Sequence, residues 1–349
     1  MSKFSLIRIK YFFANLKPRI LGYKNLLISN NEISNLQKSN KKICLVYDLK
    51  TQPVSMGNYA QLIFFARYLS IKGYKIYIYI IKNKSLKQSK REIESKKYLF
   101  EFFNNLPKIL IKKNLMQIKF FNWDQAVKNI EDNKLYVFFK KKTYERKLSP
   151  NNYVNSALIN LSLGEEKKFF NKFLISDKTF KKFSNKKIKN FKKKKYVTIL
   201  FRYDRYNPVR NTKKNEIIKI FRSINLKFPH LNIMIISDKQ GCMKAKKFLK
   251  NKKNIFYSKD FSSSVYSDIY LQLRSDFCVA SNNSGGMALW HHFSNRNFCF
   301  SNYMGLHVRL KYNYYYQTHK IFPWWNSKQR LRTSIHLKDL INLIDSYQN

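Results

Sequence analysis

The feature that most constrains the fold is a repeated alternation of short apolar runs with helical patterns. Ile43–Leu49 is apolar nearly throughout, as expected of a strand that is covered on both faces. A helical pattern follows at Asn58–Ile71 and ends before Gly73, and Lys75–Ile81 is the next apolar run. A strand, a helix and a second strand in such close succession predict the right-handed crossover unit of a parallel sheet.

The second half of the chain repeats this alternation. Predicted strands lie at Tyr196–Phe201, Leu231–Ile236, Asn254–Tyr257, Asp276–Ala280 and Asn297–Ser301, and predicted helices lie between them at Thr212–Phe228, Met243–Leu249, Ser264–Leu273 and Gly286–Phe293. A length of 349 residues suits two domains. We therefore predict an α/β fold of two Rossmann-like doubly wound domains that face each other across a cleft.

The domain boundaries follow from a change of pattern in the middle of the chain. Helices are predicted at Val154–Leu163 and Glu165–Leu174, on either side of Gly164. The run Lys178–Lys195 is dominated by lysine and is interpreted as a solvated face or a mobile loop. The predicted organisation is an N-terminal domain over residues 1–150, a helical connector and basic loop over 151–195, and a C-terminal domain over 196–349.

The net charge of +49 is weaker evidence for a nucleic-acid partner than its size suggests. The 69 basic residues are 55 lysines and only 14 arginines, and lysine, asparagine, isoleucine, phenylalanine and tyrosine are enriched together. An AT-rich genome produces this bias in any protein, whereas proteins that grip phosphate or read bases rely on the planar guanidinium. The charge is interpreted as compositional bias with a preference for anionic surfaces, and no nucleic-acid partner is expected.

Several classes of protein lack their sequence signals here. The four cysteines are far apart, which excludes a disulfide scaffold or zinc ribbon and suits a reducing cytoplasm. The signature motifs of nicotinamide-binding, P-loop and α/β-hydrolase proteins are missing, as is a D-x-D metal motif. His291 and His292 have no ligand partner four residues on, so we expect packing or surface histidines and no metal site.

Two segments at the chain's start and first strand carry weaker signals. Met1–Tyr23 is basic and aromatic without a cleavage site, and is either a first helix or a basic segment that touches an anionic membrane. Asp48 ends the first predicted strand. Gly57 and Asn58 open the helix after that strand.

An arginine cluster follows the first strand of the second half. Arg202, Arg205 and Arg210 lie within ten residues and are followed by Asn211. Ligands bind beyond the carboxyl ends of strands in open α/β sheets, and planar bidentate donors suit a diphosphate. The alternative is a salt-bridged corner in which Asp204 pairs with a neighbour.

Two further polar segments follow strands of the same predicted sheet. Ser237 and Asp238 could accept hydrogen bonds from a base or ribose, or Asp238 could cap the next helix. The later turn has small residues at a helix start, where free N–H groups favour an anion; its candidates are Asn283, Ser284, Gly285 and Gly286. A plain tight turn with a helix cap is the alternative for this second segment.

The residues of this half resemble a known family. Arg202-Tyr203-Asp204, Tyr206 and Arg210-Asn211 are similar to the strand-end segment of bacterial GT-B glycosyltransferases of surface polysaccharides, and more distantly to the arginine motif of fucosyltransferases. Ser267 to Leu271, Asp276 to Ala280 and Ser284-Gly285-Gly286 resemble a second landmark of the fucosyltransferase superfamily. The resemblance covers about Tyr196–Tyr303. Leu200 and Tyr203 stand where the fucosyltransferase motif has histidine and arginine, which leaves the donor sugar open.

The resemblance implies a chemistry. A nucleotide-diphosphate sugar would be the donor substrate, bound by the second domain, with no cofactor and no metal. The arginines would neutralise the departing diphosphate, and Asp48 or Asp204 would be the base for the hydroxyl of a glycan or lipid-linked acceptor. Such an enzyme is expected in the cytoplasm, with peripheral contact to the anionic inner face of the membrane.

Two other classes of function stay open from the sequence. A basic nucleic-acid-binding protein would display arginine and aromatic side chains on one surface, whereas Phe64, Phe65, Tyr77 and Tyr79 fall in predicted core positions. A catalytically inactive GT-B-like scaffold is the other alternative, because the evidence for a base is weak.

Overall fold

The chain folds into two compact units. The structure is a computed structural model, and it describes residues 31–49, 51, 56–82, 90–145, 151–191, 195–203, 211–249, 253–281, 287–301, 322–325, 329–332, 341–342 and 344–345. Unit 1 comprises Met1–Phe173 and Asn313–Pro323, and unit 2 comprises Leu174–Tyr312 and Trp324–Asn349. The stretch 151–195 is therefore divided between the units, with the break after Phe173. The N-terminal segment Met1–Tyr23 lies outside the described residues.

Unit 1 is built on a parallel sheet of four strands with the order β3-β2-β1-β4. Its elements are α1 (residues 31–37), β1 (Lys42–Asp48), α2 (Met56–Ile71), β2 (Lys75–Ile81), α3 (Lys90–Leu110), β3 (Met116–Phe121), α4 (Trp123–Asp132), β4 (Tyr136–Val137), α5 (Lys140–Tyr144), α6 (Asn151–Ser162) and α7 (Lys167–Phe173). The predicted β-α-β unit is confirmed. Gly73 ends α2 with a φ of 85°, a left-handed conformation that favours glycine.

Both faces of this sheet are covered, as a doubly wound domain requires. On one face Tyr47 of β1 packs edge-on against Tyr59 of α2 and Phe103 of α3, with ring centroids 5.2 and 5.5 Å apart. On the other face Cys44 and Val46 share a core with Ala126 and Ile130 of α4. Because successive side chains of a strand point to opposite faces, the uninterrupted apolar run of β1 serves both cores.

Unit 2 contains a six-stranded parallel sheet. Its strands are β5 (Tyr196–Leu200), β6 (Asn232–Ile236), β7 (Ile255–Tyr257), β8 (Phe277–Ser281), β9 (Phe298–Ser301) and β10 (Gln329–Arg332), in the spatial order β10-β9-β8-β5-β6-β7. Its α-helices are α8 (Lys186–Phe191), α9 (Lys214–Lys227), α10 (Lys239–Leu249), α11 (Ser258–Phe261), α12 (Val265–Arg274) and α13 (Leu289–His292). Numbered within the sheet, this is the Rossmann order 3-2-1-4-5-6. The predicted fold class, two Rossmann-like α/β domains, is confirmed.

Helices again cover both faces of the sheet. Val197 and Ile199 of β5 pack with Ile217, Ile220 and Ile224 of α9. The opposite face of β5 meets α12, since the Tyr196 hydroxyl donates to the Leu271 carbonyl at 2.8 Å and the Thr198 and Ser275 hydroxyls lie 3.1 Å apart. The four cysteines, Cys44, Cys242, Cys278 and Cys299, are free and buried.

The structure corrects one interpretation of the basic run 178–195. Residues Asp177–Phe183 form a 3-10 helix and Lys186–Phe191 form α8, so this part is ordered secondary structure and not a loop. The lysines dominate the sequence, but Phe180 and Ile188 are fully buried and fix the segment to unit 2. The prediction of a solvated face is correct for the lysines, whose side chains are exposed between 178 and 189.

Candidate functional site

The candidate site begins at the carboxyl ends of three neighbouring strands of unit 2. Leu200, the last residue of β5, pairs with Ile236 at the end of β6 on one side and with Ala280 near the end of β8 on the other. The strand order reverses at β5, because β6 and β7 lie on one side of it whereas β8, β9 and β10 lie on the other. In open parallel sheets such a reversal creates the crevice that binds ligands. The three polar segments named from the sequence thus start side by side.

Arg202 lies at the base of the arginine segment. Its backbone N–H donates to Thr212 Oγ1 at 3.0 Å, and the Thr212 N–H donates back to the Arg202 carbonyl at 2.9 Å. Thr212 is buried, and Asn211 beside it is half-buried. This reciprocal pair closes the segment between residues 202 and 212 at its base. Asp204, Arg205 and Arg210 lie outside the described residues.

Ser237 and Asp238 follow β6 and support the start of α10. Asp238 Oδ1 accepts the Gly241 N–H at 2.6 Å, and the Asp238 carbonyl accepts the Cys242 N–H at 2.9 Å. Asp238 therefore caps the helix, which was one of the two alternatives from the sequence. The helix begins four residues before the predicted Met243, since Gly241 belongs to its first turn. Contact of Ser237 or Asp238 with a base or ribose stays a prediction.

The segment after β5 touches the helix after β6. Lys244 Nζ of α10 lies 5.8 Å from the centroid of the Tyr203 ring, and Tyr203 also packs on the unit 2 core. Phe201 donates its N–H to the Ile236 carbonyl at 2.9 Å, which extends the pairing of β5 and β6 beyond their ends. Arg202 and Ser237 therefore leave the sheet as neighbours.

A buried charged pair beside this edge was not assigned to the site from the sequence. Lys259, in α11 after β7, forms a salt bridge with Asp268 of α12, and their side chains are 14% and 6% exposed. Burial raises the pKa of Asp268 to about 6, while Lys259 and Ser258 oppose the shift and the Asp238 charge adds to it. In the sequence, the only signal for this pair is that Ser267 and Asp268 interrupt the apolar positions of α12.

The segment after β8 is described only beyond the predicted turn. Asn283, Ser284, Gly285 and Gly286 lie outside the described residues, and the helix predicted at Gly286–Phe293 is the shorter α13. His291 and His292 in α13 are buried, as a packing role predicts. Burial, with a contribution from His292, lowers the pKa of His291 to about 3.

In unit 1, Asp48 occupies the corresponding position at the end of β1. The strand order reverses there between β2 and β4, and Asp48 is 5% exposed. Its carbonyl accepts the Thr51 N–H at 3.0 Å. Gly57 and Asn58 are half-buried in the first turn of α2. A role of Asp48 as base stays a prediction.

The described residues contain neither a candidate metal site nor a candidate membrane-spanning helix. No three His, Cys, Asp or Glu side chains among them gather closely enough to hold a metal ion. No described helix has both the length and the apolar character needed to cross a membrane. Metal independence stays a prediction.

Comparison with known proteins finds similarity at the level of structure. No protein-family model and no curated protein matches the sequence. A solved structure assigned as a UDP-N-acetylglucosamine 2-epimerase from Listeria monocytogenes has a TM-score of 0.47 and 8% identity, and covers 89% of this chain and 88% of its own. E. coli heptosyltransferase WaaC with ADP has a TM-score of 0.41 and 11% identity, and covers 88% of this chain and 97% of its own.

A third solved structure is a glycosyltransferase from Rickettsia africae, with a TM-score of 0.41, 12% identity and 89% coverage of both chains. TM-scores below 0.5 at these identities do not carry an assignment of activity.

Proposed function

We propose that the chain is a metal-independent glycosyltransferase that moves a sugar from a nucleotide-diphosphate donor to a glycan or lipid-linked acceptor in cell-surface polysaccharide synthesis. One observation carries the proposal. The strand ends of β8, β5 and β6 are level at the reversal of the unit 2 sheet, and the chain's arginine cluster and its Ser-Gly-Gly turn follow two of them. A crevice in that place suits a diphosphate.

The proposed chemistry assigns one task to each group. The bond between the anomeric carbon and the diphosphate oxygen breaks, and a bond to the acceptor hydroxyl oxygen forms. Arg202, Arg205 and Arg210 neutralise the departing diphosphate, and the N–H groups of Ser284–Gly286 add donors. Asp48 or Asp204 takes the hydroxyl proton. Contact with the anionic inner face of the membrane belongs to the same proposal.

One structural observation counts against the nucleic-acid alternative. Phe64, Phe65 and Tyr79 are fully buried and Tyr77 is 6% exposed, so these rings cannot stack on bases. An inactive scaffold would have the same fold as an active enzyme. Only a measurement of sugar transfer distinguishes the two.

Nucleotide binding tests the proposal. We expect GDP, UDP or ADP to bind the full chain in isothermal titration calorimetry, and an oligonucleotide not to compete. Arg202→Ala and Arg210→Ala should each weaken binding on the order of 10- to 100-fold, because each removes a charge-assisted hydrogen bond. Arg202→Lys should recover only part of the loss, since lysine keeps the charge without the planar fork.

Arg222→Ala is the matched control. Arg222 is an exposed arginine of α9 in the same unit, and its replacement should leave nucleotide affinity unchanged. The proposal fails if no nucleotide binds, or if Arg202→Ala and Arg210→Ala both bind nucleotide as the wild type does. Binding without sugar release from any nucleotide sugar would instead favour the inactive scaffold.

A further inference from the structure

Unit 2 displays a set of exposed lysines close together in one short segment. We call this set the lysine face; its members are Lys178, Lys181, Lys182, Lys186, Lys187 and Lys189. The sequence from 178 to 195 contains ten lysines and neither aspartate nor glutamate. None of the six forms a salt bridge with a described residue, whereas Lys227, Lys246 and Lys259 of the same unit each pair with an aspartate.

Aromatic and aliphatic side chains hold the lysine face in place. Phe180 and Ile188 are fully buried, and the Phe183 ring stacks on Tyr266 with 4.5 Å between centroids. In a 3-10 helix, residues three apart share a side, so Phe180 and Phe183 point inward together. Lys181 and Lys182 between them lie on the other two sides of the helix and are exposed.

Hydrogen bonds also tie this segment to the neighbouring helices. The Ser267 hydroxyl of α12 donates to the Phe183 carbonyl at 2.8 Å. Asn185 Nδ2 donates to the Phe261 carbonyl at 2.6 Å, and Asn185 Oδ1 accepts the Ile188 N–H at 2.9 Å to start α8. The six charges are thus carried on an anchored backbone, and little chain entropy is lost when they meet a surface.

We propose that the lysine face is the surface with which the protein binds an anionic phospholipid bilayer. Clusters of four to eight basic side chains attract such bilayers, roughly in proportion to their number. Residues 174–195 contain lysine and no arginine, which suits dispersed headgroup charge better than bidentate phosphate recognition. Phe180 and Phe191, which flank these lysines, are buried and are therefore not available to stack on nucleic acid bases.

The inference deepens the proposed function and rests on it in one respect. The lipid-linked acceptor of the proposed reaction is the reason for the protein to bind a membrane. Vesicle binding and nucleotide binding are separate measurements, so either can fail alone. The probe is co-sedimentation of the full chain with vesicles of phosphatidylcholine, with and without phosphatidylglycerol. The wild type should sediment only with the anionic vesicles, and added salt should release it.

Three variants locate the binding surface. Replacing all six lysines of the lysine face by glutamine should weaken vesicle binding by at least about 10-fold. Replacing the six by arginine should retain binding, because the charge is kept. The matched control replaces six exposed lysines of unit 1 by glutamine: Lys38, Lys42, Lys112, Lys113, Lys128 and Lys141. It changes the net charge equally and should cost less than about 3-fold.

Each other outcome overturns the inference. Equal losses in the two glutamine variants would mean that net charge alone drives binding. If the glutamine variant of the lysine face sediments like the wild type, the membrane-binding surface lies elsewhere. If the wild type does not sediment with anionic vesicles, the protein has no such surface. If an oligonucleotide binds through the same six lysines in preference to vesicles, the partner is nucleic acid and the inference is wrong.

Discussion

His291 shows how a single enclosed side chain links the fold to pH. Its ring lies 6.0 and 5.8 Å from the rings of Phe298 and Phe300, and neither ring nitrogen has a hydrogen-bond partner among the described residues. A positive charge in this place is unfavourable, which is why its pKa is lowered to about 3 in the folded protein. An unfolded chain, in contrast, takes up the proton near an ordinary histidine pKa of about 6.5.

This difference predicts a loss of stability in acid. The stabilising contribution of a neutral His291 is complete above about pH 6.5 and declines as the pH falls toward its folded pKa, reaching a loss of about 2 kcal/mol near pH 5. His291→Phe removes the group and should flatten this part of the pH dependence of urea unfolding. His230→Phe, at an exposed position of unit 2, is the control substitution.

Equal pH dependence of His291→Phe and the wild type would contradict this account. Asp268 acts in the opposite direction, because its folded pKa is raised to about 6 and its contribution declines as the pH rises from about 4 to 6. The comparison of variant with wild type isolates His291 from that effect.

At the scale of elements, the junction of β6 with α10 depends on a close approach. A Cβ added to Gly241 would lie 1.8 Å from Ser237 Oγ and 2.9 Å from Ser237 Cβ. The first turn of α10 therefore rests directly on the residue that follows the strand. Any side chain at 241 must displace either Ser237 or the helix start.

Gly241→Ala should destabilise the protein by about 1–3 kcal/mol, the usual cost of overpacking. Gly164→Ala is the matched control: no atom lies within 4 Å of its added Cβ, and it should be neutral or stabilising by up to about 1 kcal/mol. Urea unfolding of both variants provides the measurement. Equal free energies of unfolding for the two variants would show that the β6–α10 junction accommodates the added methyl group without destabilisation.

The elements also show what the sequence can predict. Strands such as β1, β5 and β6 were predicted because their apolar runs are buried on both faces. Strand β10 was not, since Gln329–Arg332 is polar and pairs only with β9 at the edge of the sheet. The sequence predicts α10 only from Met243 because Gly241 is typical of loops, although its cap, Asp238, is a local signal three residues before that glycine.

The same limit applies to the candidate site. The positions of Arg202 and Ser237 beyond strand ends follow from periodicity alone, but their adjacency requires the order of the strands. The burial of the Lys259–Asp268 pair depends on how α11 and α12 pack, which no local pattern encodes. The sequence therefore predicts the carboxyl end of this sheet as the site, and it does not predict the Lys259–Asp268 pair that is buried next to it.

For the whole molecule, the net charge of +49 sets a general expectation. Like charges repel more in the compact chain than in the unfolded one, and salt screens this repulsion over about 10 Å at 0.1 M ionic strength. The thermal unfolding midpoint should therefore rise with added sodium chloride. Differential scanning calorimetry at increasing salt tests this, with sucrose as the uncharged control for general cosolute effects. A midpoint that falls or stays constant with salt would contradict it.

The reciprocal hydrogen bonds between Arg202 and Thr212 have a consequence for how this protein can change. They join the residue that follows Phe201 to the residue that precedes Lys213 through three backbone groups and one hydroxyl. Both hydrogen bonds use only backbone groups of Arg202, so a substitution at 202 leaves both of them available. At 212, in contrast, one of the two hydrogen bonds needs the hydroxyl of serine or threonine, which makes 212 the less exchangeable of the two positions.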